Sequence, residues 1–329
     1  MSLKNVRLEV MNFLEKDVDT LIQKYLIPIE DIWQPTDFLP NPDSSSFFDE
    51  IKEIRELAKE LPYDFWVVLV GDMITEEALP TYESWLMEVE GVGQTERNGW
   101  SKWVRHWTAE ENRHGDVLNK YLYLSGRVNM REIEKTTQYL ISDGFDIGTD
   151  RDPYKNFVYT SFQELATYIS HNRVSKIAKA KGNKQLAKMC RIVAGDEMRH
   201  HNAYSEFVRR IFEVDPSQMM MAFHYMMKRK IVMPAHFLRE SGDKISSAFE
   251  EFSNTAQRIG VYTAMDYVEI LEKLIKTWDL DKLSNLTDEA EKAREYLMKL
   301  PARMTRIAER LTIPENSFKF KWVEPALVS

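Results

Sequence analysis

The sequence has little of what marks secreted, membrane-spanning and β-rich proteins. Its one cysteine, Cys190, excludes an internal disulfide and favours a reducing compartment. No apolar run reaches about 18 residues, the length that predicts a membrane-spanning helix. Only 12 of 329 residues are glycine, which favours helices over glycine-rich turns and barrels.

Positive charge is also scarce. The chain has 44 lysines and arginines against 52 aspartates and glutamates, and its net charge of −8 disfavours nonspecific nucleic-acid binding. The N-terminus lacks the apolar segment of a secretory signal, and it is neither acid-poor nor serine-rich as a transit peptide would be. We therefore expect a cytoplasmic protein, or a stromal one if this is a processed plastid protein.

The composition that remains is that of a globular protein, with 43% hydrophobic and 29% charged residues. Apolar residues at helical spacing predict an all-α fold, and we expect a single domain over residues 1–329. Four long core helices are predicted at about 62–90, 100–124, 154–181 and 184–213, with smaller helices beyond and an irregular tail from about residue 312. Pro80 lies inside the first core helix and cannot bond the carbonyl of Glu76, which predicts a kink there.

Two of these helices carry near copies of one motif. Glu111 and His114 form a Glu-x-x-His pair, and Glu197 and His200 form another. At this spacing both side chains lie on one face of a helix, a turn apart, so they can reach one metal ion. A single pair is a weak signal, but the duplication makes a metal site the favoured interpretation.

A further glutamate precedes each pair at matching distance. Glu76 lies 35 residues before Glu111, and Glu164 lies 33 residues before Glu197. Antiparallel helices of this length bring all four glutamates to one level, which is the pattern of ferritin-like di-iron four-helix bundles. Iron accepts carboxylate and imidazole ligands and can keep open positions for dioxygen. Two ferrous ions would also balance the four negative charges.

Several neighbours are predicted to support this site. Trp107 lies one turn before Glu111 on the same face. Asp116, Arg113 and Asp196 are candidates to orient the histidines through their free ring nitrogens.

The wider sequence resembles the soluble, plant-type acyl-acyl-carrier-protein desaturases, from about Trp33 to Pro301. The resemblance rests on GDMITEEALP at 71–80, WTAEENRHGD at 107–116, YTSFQE at 159–164, MPAH at 233–236 and GVYTA at 260–264. It is more specific than the ligand spacing, which many di-iron proteins share.

The resemblance implies an enzyme that inserts a cis double bond into a saturated fatty acyl chain on acyl carrier protein. Ferredoxin would supply two electrons, and dioxygen would be reduced to water. It also implies a homodimer with two iron ions per chain. The implied iron ligands are Glu76, Glu111, His114, Glu164, Glu197 and His200, with Glu111 and Glu197 bridging.

Other roles follow from the same resemblance. Thr167 corresponds to a threonine beside the oxygen site, and Trp33, His171 and Asp196 correspond to an electron route from the surface. An acidic carrier needs a basic docking patch, for which the run Lys228, Arg229 and Lys230 is the candidate.

The chain departs from the family pattern at three positions. Met198 and His201 stand where the family commonly has lysine and glutamate, and Trp85 replaces a smaller methionine of the acyl tunnel. These changes leave carrier preference, chain length and double-bond position open.

Rival interpretations are another di-iron oxygenase, hydroxylase or N-oxygenase, or a ribonucleotide reductase small subunit that uses Tyr204. An iron-storage protein and a catalytically silent family member are further alternatives.

Overall fold

The computed structural model describes residues 3–93 and 97–323, and the prediction of an all-α fold is confirmed for them. Within these ranges there are thirteen α-helices and three short 3-10 turns. The helices are α1 (Leu3–Glu15), α2 (Val18–Tyr25), α3 (Phe47–Lys59), α4 (Tyr63–Glu77), α5 (Leu79–Met87), α6 (Gly99–Ser125), α7 (Met130–Asp143), α8 (Pro153–Ala180), α9 (Lys184–Val214), α10 (Pro216–Arg229), α11 (Phe249–Arg258), α12 (Ala264–Thr277) and α13 (Asp288–Ala308).

The centre of the fold is a bundle of α4, α6, α8 and α9. The last three lie close to the bounds predicted for core helices, whereas the first predicted helix, 62–90, is divided into α4 and α5. Helix α8 packs along α9, α4 packs against α6, and contacts between α4 and α8 and between α6 and α9 close the bundle. The turn from α8 to α9 is tight, because Gly182 adopts a φ of 82° and Asn183 caps α9 through the amide of Leu186.

The predicted kink near Pro80 is confirmed. Helix α4 ends at Glu77, Ala78 intervenes, and α5 starts at Leu79. Proline lacks an amide hydrogen and cannot bond the carbonyl of Glu76 four residues back, so the helix breaks directly after Glu77. Across from this break Gly115 lets α6 approach, since a Cβ there would lie 3.0 Å from the backbone nitrogen of Glu77.

The remaining helices surround the bundle. Helices α10 and α12 pack on α8, α13 packs on both of them, and α11 packs on α4. A proline in a helical segment predicts a break, and at Pro301 that prediction is wrong: α13 continues through it. The ring of Pro301 is buried beside Leu297 and Leu300, so packing offsets the lost backbone hydrogen bond.

The predicted irregular tail is confirmed as far as Val323, and its last residues, 324–329, lie outside the described part of the chain. Trp322 and Phe320 are buried, and Trp322 donates from its indole nitrogen to Thr136 on α7. Of the helices that the structure describes, none is both long and apolar enough to cross a membrane.

Candidate metal centre

Six side chains that the sequence singled out converge inside the bundle. They are Glu76 on α4, Glu111 and His114 on α6, Glu164 on α8, and Glu197 and His200 on α9. They form two groups that could each hold a metal ion, and within each group the candidate ligand atoms lie within 4.8 Å of one another. Glu111 and Glu197 belong to both groups, so the arrangement can hold two ions that share two carboxylates.

The atoms that face the centre lack hydrogen-bond partners. Among the residues the structure describes, this holds for Glu111 Oε1, Glu164 Oε2, Glu197 Oε1 and the Nδ1 atoms of His114 and His200. His200 Nδ1 lies 2.6 Å from Glu111 Oε1, and His114 Nδ1 lies 3.0 Å from Glu197 Oε1, yet neither contact has hydrogen-bond geometry. Buried polar groups are rarely left in this state, and five that converge on one space fit a bound cation.

The electrostatics lead to the same conclusion. Burial, reinforced by the charge of Glu197, raises the pKa of Glu76 to about 7. Burial and the nearby Glu111 raise the pKa of Glu164 well above its ordinary value. Burial would also raise the pKa of Glu111, but the charges of His114 and His200 outweigh it and lower that pKa to about 2. Without a metal the cluster must therefore hold protons, and cations would take their place.

A second layer of carboxylates supports the histidines, and it crosses between the two motif copies. Asp196, the residue before Glu197, accepts from Nε2 of His114 at 3.2 Å. Glu110, the residue before Glu111, accepts from Nε2 of His200 at 3.0 Å. Each histidine thus directs Nδ1 to the centre and Nε2 to a carboxylate of the other motif copy.

Two arginines hold these carboxylates. Arg113 donates to Asp196 at 3.0 Å, and Arg199 donates to Asp196 and to Glu110, both at 2.6 Å. Burial alone would raise the pKa of Asp196, but the hydrogen bond from His114 and the charge of Arg199 hold it well below its ordinary value.

The predictions for this second layer were only partly right. Arg113 and Asp196 take part, whereas Asp116 faces away from the site and pairs with Lys120 at 2.7 Å. Glu110 was missed, although it occupies the position in its motif copy that Asp196 occupies in the other.

Comparison with known proteins identifies the family. A family model described as fatty acid desaturase matches residues 6–324. The chain belongs to the fatty acid desaturase family. It is 52% identical over 307 residues to chloroplastic stearoyl-acyl-carrier-protein 9-desaturase 5 of Arabidopsis thaliana, and the aligned region covers 92% of this chain and 77% of the relative. It is 48% identical over 328 residues to the chloroplastic stearoyl-acyl-carrier-protein 9-desaturase of Spinacia oleracea, covering 98% of this chain and 82% of the relative.

A solved structure supports the fold. The X-ray structure of DesA2 from Mycobacterium tuberculosis H37Rv, assigned as an acyl-acyl-carrier-protein desaturase, superimposes with a TM-score of 0.55. It covers 87% of this chain and 99% of that chain at 17% identity. At that identity the match concerns the ferritin-like all-α fold alone, which the desaturase family match supports independently.

The side chains that were predicted to form the electron route lie on two sides of the candidate metal centre. Trp33 donates to Asp196 at 2.9 Å, stacks on His114 with an interplanar angle of 8°, and has the guanidinium of Arg113 4.1 Å from its ring centroid. His171 instead approaches Glu76, with its Nε2 2.9 Å from Glu76 Oε1. Burial lowers the pKa of His171, but the bond to Glu76 outweighs it and raises the pKa to about 9.

Thr167 and Trp107 contact the glutamates directly. The hydroxyl of Thr167 donates to Glu197 Oε2 at 2.5 Å, and the indole of Trp107 donates to Glu164 Oε1 at 3.1 Å. Tyr204 packs edge-on against Trp107 with ring centroids 6.3 Å apart. The predicted contact between Trp107 and the site is therefore present.

A cavity of about 760 Å³ leads from the surface to this centre. Its inner wall includes Glu76, Glu111 and Thr167, and its lining is mainly apolar along α8, α11, α12 and α13. Its outer end is lined by Lys228 and Lys230, both exposed. A cavity of this size and character suits a long apolar ligand with a polar end that stays outside.

The three family departures lie in different surroundings. Met198 is half-buried against the hydrophobic core. His201 is buried, and its Nδ1 donates to the carbonyl of Ser161 at 2.7 Å. Burial, helped by the charge of Lys273, lowers the pKa of His201 to about 4. Trp85 lies beyond the inner end of the cavity.

Proposed function

We propose that this protein inserts a double bond into a saturated fatty acyl chain carried on acyl carrier protein, as part of fatty acid biosynthesis. One observation carries the proposal: two overlapping groups of carboxylate and imidazole ligands lie at the inner part of a long apolar cavity. The relatives named as stearoyl-acyl-carrier-protein 9-desaturases support it, since they match at about half identity over most of this chain.

The resident cofactor would be two iron ions. Glu76 and His114 would hold one ion, Glu164 and His200 the other, and Glu111 and Glu197 would bridge them, as the two overlapping groups suggest. The iron, with dioxygen and two electrons, would supply the oxidising power to break an unactivated C–H bond, which no side-chain acid or base can do.

The protein positions the chain and shields the reaction. The apolar cavity would draw the acyl chain out of water and hold it along α8, past Thr167. The hydroxyl of Thr167 has two acceptors within reach, Glu197 Oε2 at 2.5 Å and the carbonyl oxygen of Glu164 at 3.0 Å, and its one proton can go to either. It therefore lies where it could hold or move a proton beside the centre. Trp107 fixes the carboxylate of Glu164 from the other side.

Electrons would enter from a reduced ferredoxin through Trp33. The ring of Trp33 stacks on His114 and bonds Asp196, so two contacts join it to a predicted ligand. His171 contacts Glu76 on the opposite side and would tune that ligand rather than lie on the same path.

The acidic carrier would dock at the outer end of the cavity. Lys228 and Lys230 line that end, together with Arg303 of α13. Arg229 differs, because it bonds the hydroxyl of Tyr225 at 3.2 Å and packs over Gly148. We therefore assign docking to the two lysines and Arg303, and not to Arg229.

The family supports a further proposal about assembly and compartment. We propose that the whole chain acts as one domain and forms a homodimer. A plastid stroma or another reducing compartment would suit the chloroplastic names of the relatives and the single buried cysteine.

The function is tested by reconstitution. Protein loaded with ferrous iron is supplied with ferredoxin, its reductase, dioxygen and carrier-bound acyl chains of graded length, and mass spectrometry locates any new double bond. We expect two iron ions per chain and one cis double bond. The Glu197→Ala variant should lose both iron and product, whereas Lys299→Ala, a surface change on α13, should keep both. Iron-loaded protein that forms no unsaturated product would refute the proposal.

A further inference from the structure

Gly71 lies on the face of α4 that borders the large apolar cavity. Residues of this helix that line the cavity are Val68, Asp72, Thr75 and Glu76, and residue 71 falls among them by helical spacing. Gly71 is nevertheless buried, so another group covers it.

The covering group is the ring of Phe252 on α11, the helix that packs against α4. A Cβ atom at residue 71 would lie within 2.8 Å of three ring atoms, with Cε2 and Cζ nearer than Cδ2. Carbon atoms pack at about 3.5–4.0 Å, so an alanine here would displace the ring. The ring of Phe252 can occupy this position because residue 71 has no side chain.

The cavity is the open direction for a displaced ring. Phe252 belongs to a buried apolar cluster that includes Val70, Met73 and Ala256, and a packed interior has little room for a ring to move. The ring also borders the cavity, which has a volume of about 760 Å³. A side chain at residue 71 would therefore push Phe252 into the cavity.

This contact lies on the route that an acyl chain would take to the metal centre. Gly71 is five residues before Glu76 on α4, which corresponds to about 7.5 Å along the helix axis. Leu79 and Tyr82 line the cavity on the other side of Glu76, and Tyr82 also borders the small pocket at its inner end. Gly71 and Phe252 are therefore on the outer side of the metal centre.

We propose that Gly71 and Phe252 together set the width of the acyl path on the outer side of the metal centre. Gly71 leaves the space into which the ring of Phe252 withdraws, so that a saturated chain can pass. This inference rests on the proposed function and adds a position that controls entry of the acyl chain. Gly71 would act through Phe252 and not by touching the chain, so it is a positioning residue.

The test measures how tightly Gly71→Ala binds carrier-bound palmitoyl and stearoyl chains and unacylated carrier, without a reductant so that no turnover occurs. Wild type should bind the acylated carriers more tightly than the unacylated one, because the chain enters the cavity. Gly71→Ala should weaken binding of both acylated carriers about tenfold or more, since one methylene in an apolar pocket commonly contributes that much. Binding of unacylated carrier, which docks outside the cavity, should stay the same.

Two further variants isolate the cause. Adding Phe252→Leu to Gly71→Ala should restore the affinity for acylated carrier, because leucine lacks the two nearest ring atoms, Cε2 and Cζ. Gly195→Ala is the matched control: Gly195 is also a helical glycine, on α9, but a Cβ there would have nothing from other described segments within 4 Å. It should bind every carrier as wild type does, and iron content and melting temperature check the fold of each protein.

Phe252→Trp tests the same wall if Gly71→Ala does not load iron. The larger indole has to extend into the cavity, and it should weaken binding of acylated carrier in the same selective way.

Three results would overturn the inference: wild-type affinity for acylated carrier in folded Gly71→Ala or in Phe252→Trp, an equal loss for acylated and unacylated carrier, or a double variant that binds as weakly as Gly71→Ala. A wild type that binds acylated carrier no more tightly than unacylated carrier would instead refute the proposed function, and the inference with it.

Discussion

Replacing Asp196 by asparagine tests how the second layer supports the predicted ligands. Asp196 Oδ2 accepts from Trp33 at 2.9 Å, from Arg113 at 3.0 Å and from His114 at 3.2 Å, while Oδ1 accepts from Arg199. Asparagine keeps the shape but loses the charge and turns an NH2 group toward donors. Removing one partner of a buried ion pair typically costs about 3–5 kcal/mol of stability.

The same change should weaken metal binding. His114 would lose the acceptor that fixes its ring and increases the basicity of Nδ1. Loss of such a support typically lowers metal affinity or activity about 10–100-fold. We expect a decrease in this range for Asp196→Asn, measured as ferrous iron affinity under anaerobic conditions.

Glu110→Gln is the matched control, because Glu110 supports His200 as Asp196 supports His114. It differs in two contacts. Glu110 Oε1 accepts from the amide of Ile27 at 2.6 Å and not from a tryptophan, and Arg113 lies 4.0 Å from Glu110 whereas it donates to Asp196 at 3.0 Å. Both variants should therefore lose iron affinity, but only Asp196→Asn should also disturb electron entry.

The assay that separates these effects compares two reductants. With iron held in excess, product formation by Asp196→Asn should fall strongly with ferredoxin and recover with a small chemical reductant, whereas Glu110→Gln should respond equally to both. Wild-type iron affinity in Asp196→Asn would refute the support role. An equal ferredoxin-specific loss in both variants would refute the route through Trp33.

Three other predictions address stability, chemistry and docking. Because the pKa of Glu76 is raised from 4.5 to about 7 in the folded state, the metal-free fold keeps a proton that the unfolded chain has released between these pH values. The melting temperature of metal-free protein should therefore fall as pH rises from about 4.5 to 7. Iron-loaded protein should not show this decline, and an equal slope with and without iron would contradict the reasoning. Thr167→Val should lower kcat by about 100-fold or more with unchanged iron content, and Thr167→Ser should restore it. A valine variant with wild-type kcat would exclude a role in proton transfer. Replacing Lys228 and Lys230 together by glutamate should raise KM for acyl carrier substrate about tenfold or more, while Arg229→Glu should change it little; equal effects would show that the cavity mouth is not the docking surface.

The ligand set could be predicted because it depends on local geometry that repeats. Glu111 and His114 lie on one helical face by their spacing alone, and the second copy of the motif supplies the same face on another helix. The break beside Glu76 was also predictable, since the missing amide of Pro80 is a local property.

Features that depend on contacts between distant segments were not predictable in the same way. Asp116 is a different case, because local spacing already argued against the expectation that it lies near the histidines: two residues beyond His114 the helix has turned by roughly 200°, so its side chain points outward. Arg229 follows Lys228 directly, yet α10 ends there and Lys230 adopts a φ of 66°, which separates the three side chains. The hydrogen bond from Trp85 to Asn156 joins residues that lie 71 positions apart in the sequence.

The crossed second layer implies that neither half of the bundle can form a competent metal site by itself. Each Glu-x-x-His motif holds its histidine toward the centre, but the carboxylate that fixes that histidine comes from the other motif. Arg199 bonds both of these carboxylates, so it links the two supports directly. The two halves differ at their outer contacts, because Asp196 meets the ring of Trp33 whereas Glu110 meets a backbone amide. Both histidines have a carboxylate partner, so the two ions would bind alike. Only Asp196 contacts Trp33, so electrons would arrive on the side of His114 first.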